Sequence, residues 1–187
     1  MRHQPYAPAP VVVGIDGSRS ALDAALWAVD EAVSRDIPLR LAYAIDPDDS
    51  APSDTQDAAR QLAAADTAVR CAFTALESTD KPVKIEAEIL QVSPVRALVD
   101  ASRWAKMLCL GDLGLEHSGY GQLGSTAAAV AASAHCPVAI VRAYDPRPGQ
   151  GWVIAEVDGS SASATVLQRA LDEARLREAP LQHGGAR

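Results

Sequence analysis

The sequence has few aromatic residues, three cysteines and no long apolar run, and each shortage narrows the class of protein. Phe, Trp and Tyr together make up 4% of the 187 residues, so a core must be built mainly from Ala, Val, Leu and Ile. The three cysteines form no CxxC pair and no His/Cys cluster of zinc type, which fits a reducing, cytoplasmic location. No segment approaches the roughly 18 apolar residues that a membrane-spanning helix requires.

Positive charge is also in short supply. The chain has 17 Lys and Arg against 24 Asp and Glu, giving a formal net charge of −7 and an isoelectric point near 5.0. Binding to nucleic acid or to an anionic membrane surface draws on clustered Lys and Arg, so neither is expected as the main function. At 19.6 kDa the chain is long enough for one well-filled domain and short for two.

What the sequence does contain is an alternation of apolar runs with segments of helical spacing. Short runs bounded by turn residues predict strands at 11–16, 39–45, 83–90, 107–110 and 137–141. The segments between them predict helices, the first capped by Ser18 or Ser20 and a later one by Ser93 before Pro94. This alternation predicts an α/β domain with an open five-stranded parallel sheet and helices on both faces.

A second copy of the opening motif begins late in the chain. Residues 153–160 repeat residues 11–18 at an offset of 142, and the similarity runs through the following helix to Leu181. A Pro- and Gly-containing stretch separates the two copies. We therefore expect a flexible arm at 1–10, a complete domain at 11–143, a linker at 144–151, and an incomplete second repeat (one βα unit and a tail) at 152–187.

A glycine-rich loop follows the fourth predicted strand. It reads Gly111-x2-Gly114-x9-Gly124-Ser125, with Ser125 expected to cap the next helix. Glycines let the backbone approach a ligand, and free amides at a helix N-terminus favour an anion. Asp16 ends the first strand at the same edge of the sheet, where its carboxylate can accept hydrogen bonds from ribose hydroxyls. The pattern fits a nucleotide site; the plain alternative is a long βα loop with an ordinary serine cap.

Together with Val-Gly-Ile-Asp-Gly-Ser at 13–18 and His-Cys-Pro-Val-Ala-Ile-Val at 135–141, this loop resembles the universal stress protein family, in its ATP-binding branch. The resemblance spans residues 11–142, and it makes 11–143 a nucleotide-binding domain. It implies strand order 3-2-1-4-5, with ribose and adenine against Asp16 and the backbone near Ala44 and Leu110. It also implies that phosphates contact Gly111, Gly114, Gly124, Ser125 and Thr126.

The last predicted strand has a further implication. In the resembled family this strand lies at a sheet edge and pairs antiparallel with its counterpart in another domain. Because the second copy here stops before its own fifth strand, we expect a homodimer formed through residues 137–142. An apolar edge left unpaired is an aggregation risk.

Two positions depart from the family pattern. Asp112 stands where family members commonly carry a small or basic residue. Three interpretations are open: its carboxylate repels a triphosphate, it helps to hold a divalent cation, or it is simply solvated. A separate acidic loop follows the second predicted strand at the same edge of the sheet and contains Asp46, Asp48 and Asp49. This loop is either a cation site or a hydrated turn. In the second copy Glu156 replaces a glycine on a strand expected to be buried, so that copy is not expected to bind nucleotide.

Three functional interpretations follow from these patterns. The first is an ATP-binding stress-response regulatory protein, a sensor or adaptor that takes ATP with or without Mg²⁺. The second is a nucleotide-free interaction module derived from a truncated tandem protein. The third is a slow Mg²⁺-dependent ATPase. No catalytic or metal-ligating residue is assigned, because His117 has no orienting partner and the loop offers neither a positioned base nor an arginine clamp.

Overall fold

The computed structural model describes residues 8–47, 55–114, 123–145, 147 and 151–185. The chain divides into two units, Met1–Tyr144 and Asp145–Arg187. No helix in the described residues is long and apolar enough to cross a membrane.

The first unit alternates strands with helices. Its strands are β1 (Val11–Gly14), β2 (Leu39–Ala44), β3 (Ile85–Leu90), β4 (Met107–Gly111) and β5 (Val138–Val141). Its helices are α1 (Arg19–Ser34), α2 (Thr55–Glu77), α3 (Pro94–Ser102) and α4 (Ser125–Ser133). All neighbouring strands are parallel in the order β3-β2-β1-β4-β5, which confirms the predicted sheet and its strand order.

The apolar runs explain where the core lies. Val11 and Val13 of β1 face the core shared with α1 and α2, whereas Val12 faces the core shared with α3 and α4. All three valines are 2% exposed or less, and burying each one contributes about 1.5–3 kcal/mol. Alanines at 24, 25 and 28 are fully buried and let α1 lie close against the sheet.

The ends of the elements follow local chemistry, and several differ from the predicted bounds. β1 ends at Gly14, so Asp16 follows the strand by two residues instead of ending it; the bounds of β2, β4 and β5 each differ from the prediction by one residue. Ser18 caps α1, because its side chain accepts a hydrogen bond from the Ala21 amide. Gly124, rather than the predicted Ser125, is the N-cap of α4; its backbone is extended, and Ser125 is the first helical residue. β3 begins at Ile85 and not at 83, because the Val83 amide bonds within a turn to the Lys81 carbonyl. α3 ends at Ser102, two residues before the predicted end.

The second unit contains one element more than the sequence predicted. It consists of β6 (Val153–Val157), α5 (Ser163–Leu176) and β7 (Leu181–Gly185), and the two strands pair in parallel. Residues 182–185, for which the sequence predicted no secondary structure, thus belong to a strand. The repeat explains this, since the Val153 amide bonds to the Pro180 carbonyl at 2.9 Å just as Val11 bonds to Pro38 at 2.9 Å.

The two copies differ in what covers their sheets. Ile154 is the repeat counterpart of Val12, yet it is 70% exposed where Val12 is 2% exposed. Glu156 is also exposed, so the expectation of a buried carboxylate was wrong. The reason is that α5 packs on one face of the β6–β7 pair, whereas helices cover both faces of β1. A carboxylate on the open face stays hydrated at little cost.

Gly111→Ala should destabilise the first unit. A Cβ at position 111 would lie 2.6 Å from the Ser20 carbonyl carbon and 2.7 Å from the Ala21 amide nitrogen, both backbone atoms of α1. Overpacking of this kind costs about 1–3 kcal/mol, measurable as a lower urea midpoint at unchanged slope. Gly184→Ala is the matched control, because a Cβ there meets no atom of the described residues within 4 Å. Equal midpoints for the two variants would contradict the packing argument.

Candidate functional site

A cavity of about 500 Å³ lies at the carboxyl edge of the sheet, where β1 and β4 end side by side. In doubly wound sheets this is where the strand order reverses and ligands bind. The structure brings together all eight residues that the sequence assigned to the site as lining residues: Asp16, Ala44, Leu110, Gly111, Gly114, Gly124, Ser125 and Thr126. Their contact with a ligand stays a prediction.

The base of the glycine loop is held by backbone and serine contacts. The Ser20 hydroxyl donates to the Leu113 carbonyl, and the Ser18 hydroxyl lies 3.5 Å from the same oxygen. The Gly124 amide donates to the Asp112 carbonyl at 2.7 Å, which closes the loop onto the start of α4. Residues 115–122, including His117, lie outside the described residues.

The three glycines of the motif have different structural roles. Gly111 leaves room for the backbone of α1, as described above. Among the described residues, a Cβ at Gly114 would have one neighbour within 4 Å, the Asp16 Oδ2 atom at 3.0 Å. A Cβ on Gly124 would lie 3.1 Å from the Asp112 carbonyl oxygen, which receives the Gly124 amide. Gly114 is therefore the glycine whose missing side chain leaves space beside Asp16.

The start of α4 supplies the donors that an anion needs. The first hydrogen bond of the helix runs from the Ala128 amide to the Gly124 carbonyl at 2.9 Å. The preceding amides, at Ser125, Thr126 and Ala127, belong to the first turn, where an α-helix offers no internal acceptor. These residues line the cavity, and the helix dipole adds positive potential there. The Gly124 amide, which the sequence suggested as a free donor, is already bonded.

Asp16 is fixed in place opposite this helix end. Its Oδ1 accepts the Ser18 amide at 2.8 Å, in a short turn that leads into α1. Its Oδ2 faces the open side of Gly114. One carboxylate oxygen is thus used to position the side chain, and the other lies toward the cavity.

Several lining residues were missed by the sequence analysis. Tyr43 lies one residue before Ala44 on β2, and burial together with the nearby Asp16 carboxylate raises its pKa. Gln61 of α2 and Ala97 and Leu98 of α3 also line the cavity. These residues are far from the glycine loop in the sequence, so no local pattern links them to the site. Tyr43 alone could have been found, because it lies near the end of a predicted strand.

One of the acidic residues predicted as a cation site or a hydrated turn lies at the cavity. Asp46 lines the cavity, while Asp48 and Asp49 lie outside the described residues. Among the described residues no group of three His, Cys, Asp or Glu side chains is arranged to hold a metal ion. Asp112 is not simply solvated, since its carboxylate is 15% exposed and lies 3.7 Å from the Arg142 Nε atom.

The fold and this motif match a known family. The model of the universal stress protein family matches residues 9–142. The chain belongs to that family. A universal stress protein of Mycobacterium tuberculosis (strain H37Rv) is 53% identical over 182 residues, which cover 96% of this chain and 65% of the relative. The chain therefore spans less than two thirds of the length of this universal stress protein.

Solved structures share the fold. A universal stress protein crystallised in complex with cAMP is 28% identical, with a TM-score of 0.58 over 73% of this chain and 99% of that one. A putative universal stress protein from Pseudomonas aeruginosa is 18% identical, with a TM-score of 0.64 over 95% of this chain and 61% of that one. The second likeness concerns the fold alone.

Asp16→Asn should lower the pKa of Tyr43. The Asp16 carboxylate disfavours the phenolate, so removing its charge moves the pKa down toward the ordinary value, and burial keeps part of the upward shift. The change is measured as phenolate absorbance during an alkaline titration, taken as the difference from Tyr43→Phe. Asp100→Asn removes an equal charge from the C-terminal half of α3 and should leave the titration unchanged. A Tyr43 pKa that is the same in Asp16→Asn would contradict the contact.

Proposed function

We propose that this universal stress protein binds an adenine nucleotide in the cavity at the ends of β1 and β4. ATP is the ligand that the sequence motif indicates. The protein then acts as a stress-response regulator, a sensor or adaptor in the cytoplasm, where its cysteines stay reduced. The observation that carries the proposal is the open face of Gly114 between the Asp16 carboxylate and the N-terminus of α4.

The nucleoside end of the ligand fits the side of the cavity near Asp16. The free Oδ2 can accept hydrogen bonds from two ribose hydroxyls, because the Ser18 amide holds the other oxygen. Apolar side chains of Ala42, Ala97 and Leu98 line the same cavity and suit the flat adenine ring. The backbone at Ala44 and Leu110 is the proposed source of hydrogen bonds to its edge.

The phosphates fit the side of the cavity near α4. First-turn amides and the hydroxyls of Ser125 and Thr126 are donors placed at the positive end of the helix dipole. Gly114 lets the backbone of the loop approach the phosphates without a side chain between them. The similar protein that was crystallised with cAMP supports an adenine nucleotide as the ligand here.

The proposal includes at most slow hydrolysis of ATP. The described lining contains the carboxylates of Asp16, Asp46 and Asp112. The Ser18 amide bonds to Asp16, and Asp112 lies 3.7 Å from the Arg142 Nε atom; we assign none of these carboxylates as a base that orients water. Mg²⁺, where present, would enter bound to the phosphates of ATP. Efficient phosphoryl transfer needs a positioned nucleophile and charge stabilisation, neither of which we assign.

Gly114→Ala and Ser125→Ala should each weaken ATP binding about tenfold, measured by calorimetric titration with Mg²⁺ present. The first variant places a methyl group beside Asp16 Oδ2, and the second removes a hydroxyl that donates to a charged phosphate. Gly184→Ala and Ser133→Ala are matched controls, in β7 and at the C-terminal end of α4.

Two results would count against this function. The first is the absence of any adenine nucleotide both in the freshly purified protein after denaturation and in titrations up to millimolar ATP. That result would favour a nucleotide-free interaction module. The second is equal ATP affinity in the site variants and their controls, which would place the ligand elsewhere.

We also propose that the protein is a homodimer through β5. Among the strands that the structure describes, β5 is at the edge of the sheet and pairs with β4 alone. The Pro137 and Val141 carbonyls accept bonds from the Leu108 and Asp112 amides, so alternate residues face β4. The backbone groups of Val138 and Ile140 therefore point away from the sheet, where the strand of a second copy can pair with them.

In the dimer the amides of Val138 and Ile140 should be protected from hydrogen exchange as strongly as those of Ala139 and Val141, which face β4. Light scattering at tens of micromolar protein should give twice the mass of one chain. A monomer in solution, with fast exchange confined to Val138 and Ile140, would be incompatible with pairing through this edge.

A further inference from the structure

The described lining of the nucleotide cavity carries negative charge without a cationic side chain. Asp16, Asp46 and Asp112 line it, and no Lys, Arg or His is among the lining residues that the structure describes. Sites for highly charged phosphates usually place Arg or Lys against the phosphate oxygens. Here the described donors for phosphate are backbone amides and hydroxyls.

Asp112 is a lining carboxylate that the backbone connects to the proposed phosphate donors. It follows Gly111 directly, and its carbonyl accepts the amide of Gly124, the N-cap of α4. The backbone thus ties Asp112 to the start of the helix that would hold the phosphates. Its side chain is 15% exposed, so its charge is only partly screened by water.

Arg142 compensates this charge incompletely. Its Nε atom lies 3.7 Å from Asp112 Oδ2, beyond the range of a hydrogen bond, and its side chain is 71% exposed. An exposed ion pair of this kind contributes little, because water screens the arginine. Arg142 is also not among the residues that line the cavity.

We infer that Asp112 makes this site selective for adenine nucleotides with little charge on the phosphate, so that cyclic AMP and AMP bind more tightly than metal-free ATP. The inference rests on the proposed function of the same cavity. A helix N-terminus offers roughly half an elementary charge, which suits a phosphodiester but leaves a triphosphate largely uncompensated. Each further phosphate charge is repelled by the Asp112 carboxylate inside a partly buried site.

The test is calorimetric titration of the full chain with cyclic AMP, AMP and ATP, with a chelator present to remove divalent cations. We expect the wild-type protein to bind ATP about tenfold more weakly than cyclic AMP. Asp112→Asn should raise the ATP affinity about tenfold while changing the cyclic AMP affinity by less than about twofold. Asp112→Glu keeps the charge and should keep the wild-type order of affinities.

Two further variants separate local charge from general effects. Asp100→Asn removes one negative charge from an exposed side chain on α3 and should leave all three affinities unchanged. Arg142→Gln removes a cation that compensates Asp112 only weakly, and it should lower the ATP affinity by less than about twofold. Thermal unfolding of each variant checks that it is folded; if Asp112→Asn is not, the order of the ATP and cyclic AMP affinities in the wild-type protein and in Asp112→Glu decides the question.

The outcomes separate this inference from the proposed function. Metal-free ATP bound as tightly as cyclic AMP by the wild-type protein would overturn the selectivity and leave the nucleotide site standing. An unchanged ratio of ATP affinity to cyclic AMP affinity in Asp112→Asn would also overturn the selectivity and leave the nucleotide site standing. If no adenine nucleotide binds to the wild-type protein or to Asp112→Asn, the proposed function fails and the selectivity fails with it.

Discussion

Parallel pairing of β1 with β4 is the constraint on which the site depends. β1 is paired on both sides, with β2 and with β4, although some ninety residues separate β1 from β4 in the sequence. Because the chain leaves these two strands toward opposite faces of the sheet, their carboxyl ends diverge and a cavity opens between them. Asp16 and Gly111 come together only through this pairing, and the buried valines of β1 stabilise it.

The glycine motif shows that one sequence pattern can serve several physical needs. Gly111 lets α1 pack on β4, Gly124 closes the loop through its amide, and Gly114 leaves space beside Asp16. Spacing alone treats the three as equivalent. A substitution therefore has a different consequence at each position, on stability at one and on ligand access at another.

The internal repeat separates local from tertiary effects. The second copy forms the same strand, helix and strand in the same register, with β6 pairing to β7 as β1 pairs to β2. Yet Ile154 is exposed where Val12 is buried, because no helix of the second unit in the described residues covers that face. Similar residues at equivalent positions thus lie in different environments, which is why Glu156 is tolerated where the first copy has Gly14.

The sequence by itself determined the order of elements, the parallel sheet and the edge at which the site lies, since apolar periodicity and glycine punctuation act over short stretches of chain. Strand ends and helix starts are local features, and they indicated Asp16 and the glycine loop with Ser125; the family resemblance added Ala44, Leu110 and Thr126 as expected site residues. The tertiary structure alone decided that Gly111 faces α1, that Tyr43 lies near Asp16 and that Asp112 approaches Arg142. These contacts join segments distant in sequence, and no local pattern encodes such a contact.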